Sequence, residues 1–504
     1  MKRFSTFGTI FFILLLSFSC RKDFSTIPSN GNLLFSRDTV FLDTVFTNTS
    51  SSTYALKVYN EGSKDVHIPS IQLGRSNSFY RLNVDGVPGK KFENVLLRSD
   101  DSLYIFIETT IDYSKISSPL YTDSIVFDAG TKLQDVKLVT LVQDAHFIYK
   151  SSSSLDTMTI TPKYFNDKTP KSIRYLSDSE LNFTEEKPYV IYGYCAVPEG
   201  KTLHIEAGSK LYFHKNSALV VGKDASLQVS GTLDKNVCFE GDRLEFSFED
   251  VSGQWDGIWL QSNSANHSIN HAYIKNASIG IVCDSIQSTS TTPSLTLKNT
   301  KILNNSQYGI LAKSTHIKGE NLILGNSRIS ALAIEKGGKY DFNHTNIVNY
   351  WTQSIRRSTA LQIKNTVIAE DEASTDIDLR FSNSIISGSR LQEIYFDKDE
   401  NSTFECYFTH CYITANTADE TPLYDTSDTS TYNNCLFNGI LDFKDTYVND
   451  FRIGEESVLI EKASTDEASR TPLDLIETER LPLPDIGAYQ HIVFEEPEEE
   501  VESE

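Results

Sequence analysis

The segment Asp376-Ile377-Asp378-Leu379-Arg380-Phe381 alternates charged and apolar side chains. In an extended strand, Ile377, Leu379 and Phe381 turn to one side and Asp376, Asp378 and Arg380 to the other. With a rise of about 3.3 Å per residue, the two carboxylates stand about 6.5–7 Å apart. That span suits a cation bridging to a substrate carboxylate, or a separated acid and base. The same pattern also describes a solvated outer face in local charge balance. A second group, Tyr350, Trp351, Arg356 and Arg357, joins rings on which sugars stack to guanidiniums that pair with carboxylate or sulfate. Its plainer reading is a loop tryptophan packed on a flank, with exposed arginines.

Other reaction signatures are missing. There is no HExxH, no Gly-x-Ser-x-Gly and no P-loop, and the ten histidines are scattered apart from His267 and His271. Six cysteines lie beyond residue 190, without a CxxC pair, which argues against structural zinc. Trp255 and Trp259, in Trp-Asp-Gly-Ile-Trp, read as packing residues. Asn83-Val84-Asp85-Gly86 reads as a tight turn in preference to a metal loop. No metal site and no cofactor is expected, except a Ca²⁺ ion if the acidic face belongs to a lyase.

What must position these residues is a repeat. The pattern apolar-x-Asn-x-x-apolar occurs eight times, starting at Ile274, Leu297, Ile317, Phe342, Ile363, Phe381, Phe408 and Tyr432. Its third position is Asn276, Asn299, Gly319, His344, Asn365, Asn383, His410 and Asn434. Asn, Gly and His tolerate the left-handed backbone region best, so this position predicts a corner between two strands. Positions one and six then point inward, and the corner residues stack in one file with side-chain hydrogen bonds along the axis. Strand-rich units 18 to 27 residues long specify a parallel β-solenoid. Cys411 and Cys435 share the fourth position, so neighbouring coils bring them about 4.8 Å apart. Both a disulfide and two stacked thiols fit that spacing, and the small residues elsewhere at this position favour the thiols.

The stretch from Gly200-Lys201-Thr202-Leu203-His204-Ile205-Glu206-Ala207-Gly208, through 227–231, to Trp255-Asp256-Gly257-Ile258 resembles the opening coils of right-handed parallel β-helix proteins of the pectate-lyase-like superfamily. Phe451-Arg452-Ile453 and Pro484-Asp485-Ile486-Gly487-Ala488-Tyr489 resemble the group's closing segment. The resemblance implies a right-handed parallel β-helix over 188–490. In such enzymes outward side chains hold Ca²⁺ and supply a base, which is the role Asp376, Asp378 and Arg380 would take.

Upstream, seven short alternating runs between residues 38 and 148 predict an antiparallel sandwich of immunoglobulin type. A Ser-, Asp- and Lys-rich stretch, 149–187, reads as a linker. Lys2, Arg3 and the apolar run 11–16 form a secretory signal, too short to span a bilayer. It ends in Leu16-Ser17-Phe18-Ser19-Cys20, which resembles a bacterial lipobox with Ser17 where Leu is usual. Residues 1–19 are then the signal peptide, Cys20 carries acyl chains, and 20–37 is a tether. An ordinary signal peptide with an incidental cysteine is the alternative. Together with the sandwich, the chain resembles an exported Bacteroidetes β-helix lipoprotein of the outer membrane. Residues 491–504 form an acidic tail, with seven Glu in the last ten positions.

Across 504 residues, 46 Lys+Arg against 68 Asp+Glu leave a net charge of −22, which argues against nucleic acid as a partner. Tyr 24 and Phe 29 favour strands over helices, so the expected fold class is all-β. The expected partners are a membrane, reached through the lipid anchor, and polysaccharide. Three functions fit: a surface binding glycan or another envelope component, a polysaccharide lyase or glycosidase, and a structural spacer or adhesin. A repeat scaffold does not by itself choose among them.

Overall fold

The computed structural model describes residues 25–128, 132–149, 158–264, 266–284, 292–366 and 375–495. Cys20 and the tail from residue 496 lie outside them. The chain divides into two compact units, Met1–Asp144 and Ala145–Glu504.

The first unit is two sheets on one core. One sheet orders its strands Ile27–Pro28, Val66–Leu73, Leu120–Phe127, Gln134–Gln143 and Thr39–Phe46, with Lys91–Leu97 also on Val66–Leu73. The other orders Leu34–Phe35, Tyr54–Asn60, Asp101–Thr109, Tyr80–Val84 and Val87–Gly89. Alternate residues such as Leu56, Val58, Ile105, Ile107, Ile125 and Phe127 point inward and are buried. The sheets are not wholly antiparallel: Gln134–Gln143 runs parallel to Thr39–Phe46, and Ile27–Pro28 parallel to Val66–His67. The first of these pairings slips register between Val139 and Leu141, beside Asp43 at φ 49°. The turn read at Asp85-Gly86 is present, both residues having positive φ.

The second unit is a parallel solenoid with three faces. One coil supplies Thr202–Glu206 to the first face, Lys210–Phe213 to the second and Ala218–Val221 to the third. The next coil adds Ser226–Ser230, Val237–Gly241 and Trp255–Leu260, each in parallel register with its predecessor. The pairing continues to Tyr432–Asn433 on the first face and Leu436–Phe437 on the second. Inward positions superimpose, so like packs on like. Phe342, Phe381, Phe408 and Tyr432 stack with ring centroids 4.9, 5.7 and 5.4 Å apart.

Of the stretch read as a linker, residues 158–187 are described and carry strands of this unit. Lys171–Tyr175 pairs with Tyr194–Val197, and Asn182–Phe183 with Thr202–Glu206. Phe165 is buried edge-on to Trp259, with centroids 6.3 Å apart. Its polar composition conceals strands that gain stability only from a coil some twenty residues ahead.

The single file of corner residues needs correction. Asn299, His344, Asn383, His410 and Asn434 do form one file between the first and second faces, at φ 46–53°. Asn276 does not belong to it. It turns the corner between the second and third faces, where the register aligns it with Asn304. Its place in the file is taken by His271, whose Nε2 accepts from Asn299 Nδ2 at 3.0 Å. Gly319 lies two residues early, inside a strand. A Cβ there would clash with the Phe342 ring, and Asn321 turns the corner instead. Asn365 ends a third-face strand and accepts from the Asp399 amide at 2.6 Å. The motif marks any tight corner between apolar strands, and a coil has three.

The expected hydrogen bonds along the file are present. Asn321 donates to Asn299 Oδ1 at 3.0 Å, and Asn383 to His344 Nε2 at 3.1 Å. The file also holds a C-terminal cover. Asn343 donates to the Glu467 carbonyl, Asn383 to the Ser464 carbonyl, and His344 Nδ1 to the Gly487 carbonyl. Arg480, 1% exposed, donates to Asn321 Oδ1 at 2.9 Å, and burial lowers its pKa to about 10.

Two buried histidines make the unit acid-sensitive. His267 Nδ1 accepts from the Leu227 amide, and burial lowers its pKa to about 4. Burial holds His344 well below its usual value too. Both bind protons more readily unfolded, so stability present above about pH 6.5 is lost as pH falls toward 4. Each histidine should contribute up to about 1.4 kcal/mol per pH unit to that fall. Thermal unfolding at pH 7 and pH 4.5 checks this, and H344N should flatten the dependence.

Candidate functional site

The cover decides where a ligand can reach the solenoid. Along the second face the outward ladder runs Cys238, Tyr273, Lys301, Ile323, Asn346, Ile385 and Tyr412. From Ile323 onward it is buried under Phe451, Ile453, Leu459, Ile486 and Ala488. Tyr273 and Lys301 lie at the margin of the cover, where a hollow of about 620 Å³ opens. Its walls are Cys238, His271, Tyr273 and Lys301 on the solenoid, with Asn449, Asp450, Arg452 and Tyr489 from the cover.

A second hollow, about 440 Å³, shares Asn449 with the first. It lies between the loop carrying Phe246, Glu249 and Asp250, the loop carrying Trp351 and Gln353, and Tyr447 of the cover's hairpin. That hairpin pairs Phe443–Asp445 with Asp450–Ile453. Its turn is tied down by amides: Asn326 donates to Asn449 Oδ1, and Asn449 Nδ2 donates to Asn304 Oδ1 at 3.5 Å. Phe246 is 86% and Tyr447 82% exposed. The two hollows adjoin at Asn449, and the smaller is lined by the exposed rings of Phe246 and Tyr447 and by the amides of Asn304, Asn326 and Asn449.

The polar groups of the larger hollow are unequal. Asp450 accepts from Arg452 Nε at 2.8 Å and also from its Nη2, so carboxylate and guanidinium are already paired. The Lys301 ammonium lies 5.8 Å from the Tyr489 ring centroid, and among the described residues it has no hydrogen-bond or ion-pair partner. Burial lowers its pKa, with Asp450 opposing the shift and Arg452 adding to it. Burial raises the Tyr273 and Tyr489 phenols, so both keep their protons at neutral pH. Among the described residues no group of three or more His, Cys, Asp or Glu could hold a metal ion.

The predicted site residues fall in different places. Ile377, Leu379 and Phe381 are buried, and Asp376, Asp378 and Arg380 face out on the first face, as alternation requires. Asp378 faces Lys339 at 3.5 Å and Arg380 at 3.3 Å, Asp376 accepts from the Thr403 amide, and Arg380 lies over Tyr407. This is a charge-balanced surface ladder. Trp351 lines the smaller hollow, while its indole N–H donates to Ser354 Oγ at 3.0 Å. Tyr350 packs on Phe443 and Phe451, and its hydroxyl meets Ser387 Oγ at 3.0 Å.

Arg356, expected at the surface, is buried. It grips the wholly buried Glu393 through Nη1–Oε2 at 2.8 Å and Nη2–Oε1 at 2.5 Å. Arg357 remains exposed. Cys411 and Cys435 are neighbours in register and both are free thiols. Sequence reasoning missed Lys301, Tyr273, Tyr447 and Phe246. One signal was available: position five of the repeat becomes Ile385, Tyr412 and Leu436 under the cover, but is Lys301 beyond it.

No protein-family model and no curated protein matches the sequence. Solved structures that it matches include a family 123 glycoside hydrolase from Clostridium perfringens, at 10% identity and a TM-score of 0.17. That match covers 23% of this chain and 26% of the hydrolase chain, so it spans about a quarter of that protein. Another is the A-module of the mannuronan C-5 epimerase AlgE6 from Azotobacter vinelandii, at 9% identity, covering 53% of this chain and 89% of that one with a TM-score of 0.21. These scores are too low to carry an argument about activity.

Proposed function

We propose that the protein binds glycan in the groove between the solenoid and its C-terminal cover. The observation that carries this is the pair of hollows adjoining at Asn449, the smaller lined by Phe246, Tyr447 and Trp351 together with Asn304, Asn326 and Asn449. Sugar rings present C–H faces to aromatic rings and hydroxyls to amides, and both kinds of partner converge here. In the same proposal the solenoid is a right-handed β-helix, the first unit an immunoglobulin-like sandwich, and Cys20 a lipid anchor holding the chain at the cell envelope. The acidic outer face supports a lyase or glycosidase less well, because Asp378 is already engaged by Lys339 and Arg380.

Phe246 and Tyr447 are exposed, so removing either ring should leave the fold intact. Each of F246A and Y447A is expected to weaken binding about 2- to 10-fold, the worth of one aromatic contact. A glycan array identifies the ligand, and titration calorimetry with that oligosaccharide measures both variants. Unchanged affinity in the double variant would contradict the groove.

A further inference from the structure

We infer that the larger hollow is a subsite for an anionic group on a sugar, a carboxylate or a sulfate ester, received by Lys301 with Tyr273 and Tyr489. The inference rests on reading the groove as a glycan site and names the chemistry of one part of it.

The argument is a balance of donors and acceptors. The carboxylate facing the hollow, Asp450, is occupied by Arg452 of its own strand. His271 Nε2 accepts from Asn299, and Asn236 donates to the Leu233 carbonyl. What remains without a hydrogen-bond partner among the described residues is the Lys301 ammonium, a donor only, and the phenol hydroxyls of Tyr273 and Tyr489, each able to donate. A neutral sugar hydroxyl needs an acceptor as often as a donor. An anion takes donors alone, and its hydrogen bonds to charged donors are the strong kind. Burial penalises the lysine charge, and an anion in the hollow would offset that cost. A lysine at this row position is also the exception, since later coils place Ile323, Asn346, Ile385 and Tyr412 there, uncharged and buried beneath the cover.

The test uses the full chain and single small ligands, which do not need the aromatic rim. Sodium sulfate, galacturonate and galactose are titrated at fixed ionic strength into wild type, K301M and K301R. Binding of sulfate or galacturonate, with none of galactose, is expected. K301M should lower the anion affinity at least about tenfold, and K301R should keep most of it. Sulfate binding alone assigns a sulfate ester and galacturonate binding alone a uronate, each supporting the inference. Absence of anion binding, galactose binding as tight as galacturonate, or equal anion affinity in K301M would overturn it. If K301M fails to fold, acetylation of Lys301 in wild type gives the answer, since a bound anion should slow it and an unchanged rate refutes the subsite. Failure here, with Tyr447 still required for oligosaccharide binding, removes the anion assignment and leaves the groove.

Discussion

Replacing Glu393 by alanine is expected to destabilise the solenoid unit by about 3–5 kcal/mol, because it strands a guanidinium in the interior. Glu393 is fully buried and its two oxygens are saturated. They accept from both terminal nitrogens of Arg356, from the Ala360 amide at 2.8 Å and from the Arg390 amide at 2.9 Å. The carboxylate therefore pins the loop 351–360, which carries Trp351 into the groove, to the loop 389–393. The double variant R356M/E393L should recover much of the loss, since two apolar groups leave no charge unpaired. All three tryptophans, Trp255, Trp259 and Trp351, belong to this unit. Denaturation followed by tryptophan fluorescence thus reads the solenoid alone. A midpoint for E393A equal to wild type would show that the pair does not hold the loop.

The second large effect concerns the core. F381A should cost about 3–5 kcal/mol, the usual penalty for emptying a buried phenylalanine site. Phe381 lies between Phe342 and Phe408 at 4.9 and 5.7 Å, so its ring supports one coil above and one below. F381L keeps most of the volume and should cost less than half as much. Fluorescence-detected denaturation checks both variants. Equal losses would mean that ring stacking, more than cavity volume, stabilises the row.

The solenoid was legible because its inward positions repeat. The apolar residues that open the units at Phe342, Phe381, Phe408 and Tyr432 form the buried stack, and Cys411 and Cys435 lie side by side as their shared position requires. Corner identity was not legible. Asn276 and Asn299 have the same local sequence and turn different corners, because a left-handed corner looks alike wherever it occurs, whereas Asn365, in the same pattern, follows a third-face strand without a positive φ. The strands within 149–187 were hidden because their partners lie in the next coil.

The candidate site was legible only in part. Trp351 was named and lines the groove, yet its neighbours Phe246 and Tyr447 are about a hundred residues away on either side. Such convergence depends on how the cover folds back, which local patterning does not encode. Arg356 shows the reverse case. Its charge suggested a surface ligand, but Glu393, thirty-seven positions on, makes it an interior strut. Lys301 sat inside a recognised repeat and gained meaning only once the cover was seen to stop beside it.

The most direct measurement is a crystal structure of the chain soaked with an acidic oligosaccharide that binds it in solution. Sugar rings should lie against Tyr447 and Trp351, pass Asn449, and bring an anionic group to Lys301. Ordered sugar along Asp378 and Arg380, with nothing bound beneath the hairpin, would contradict the account.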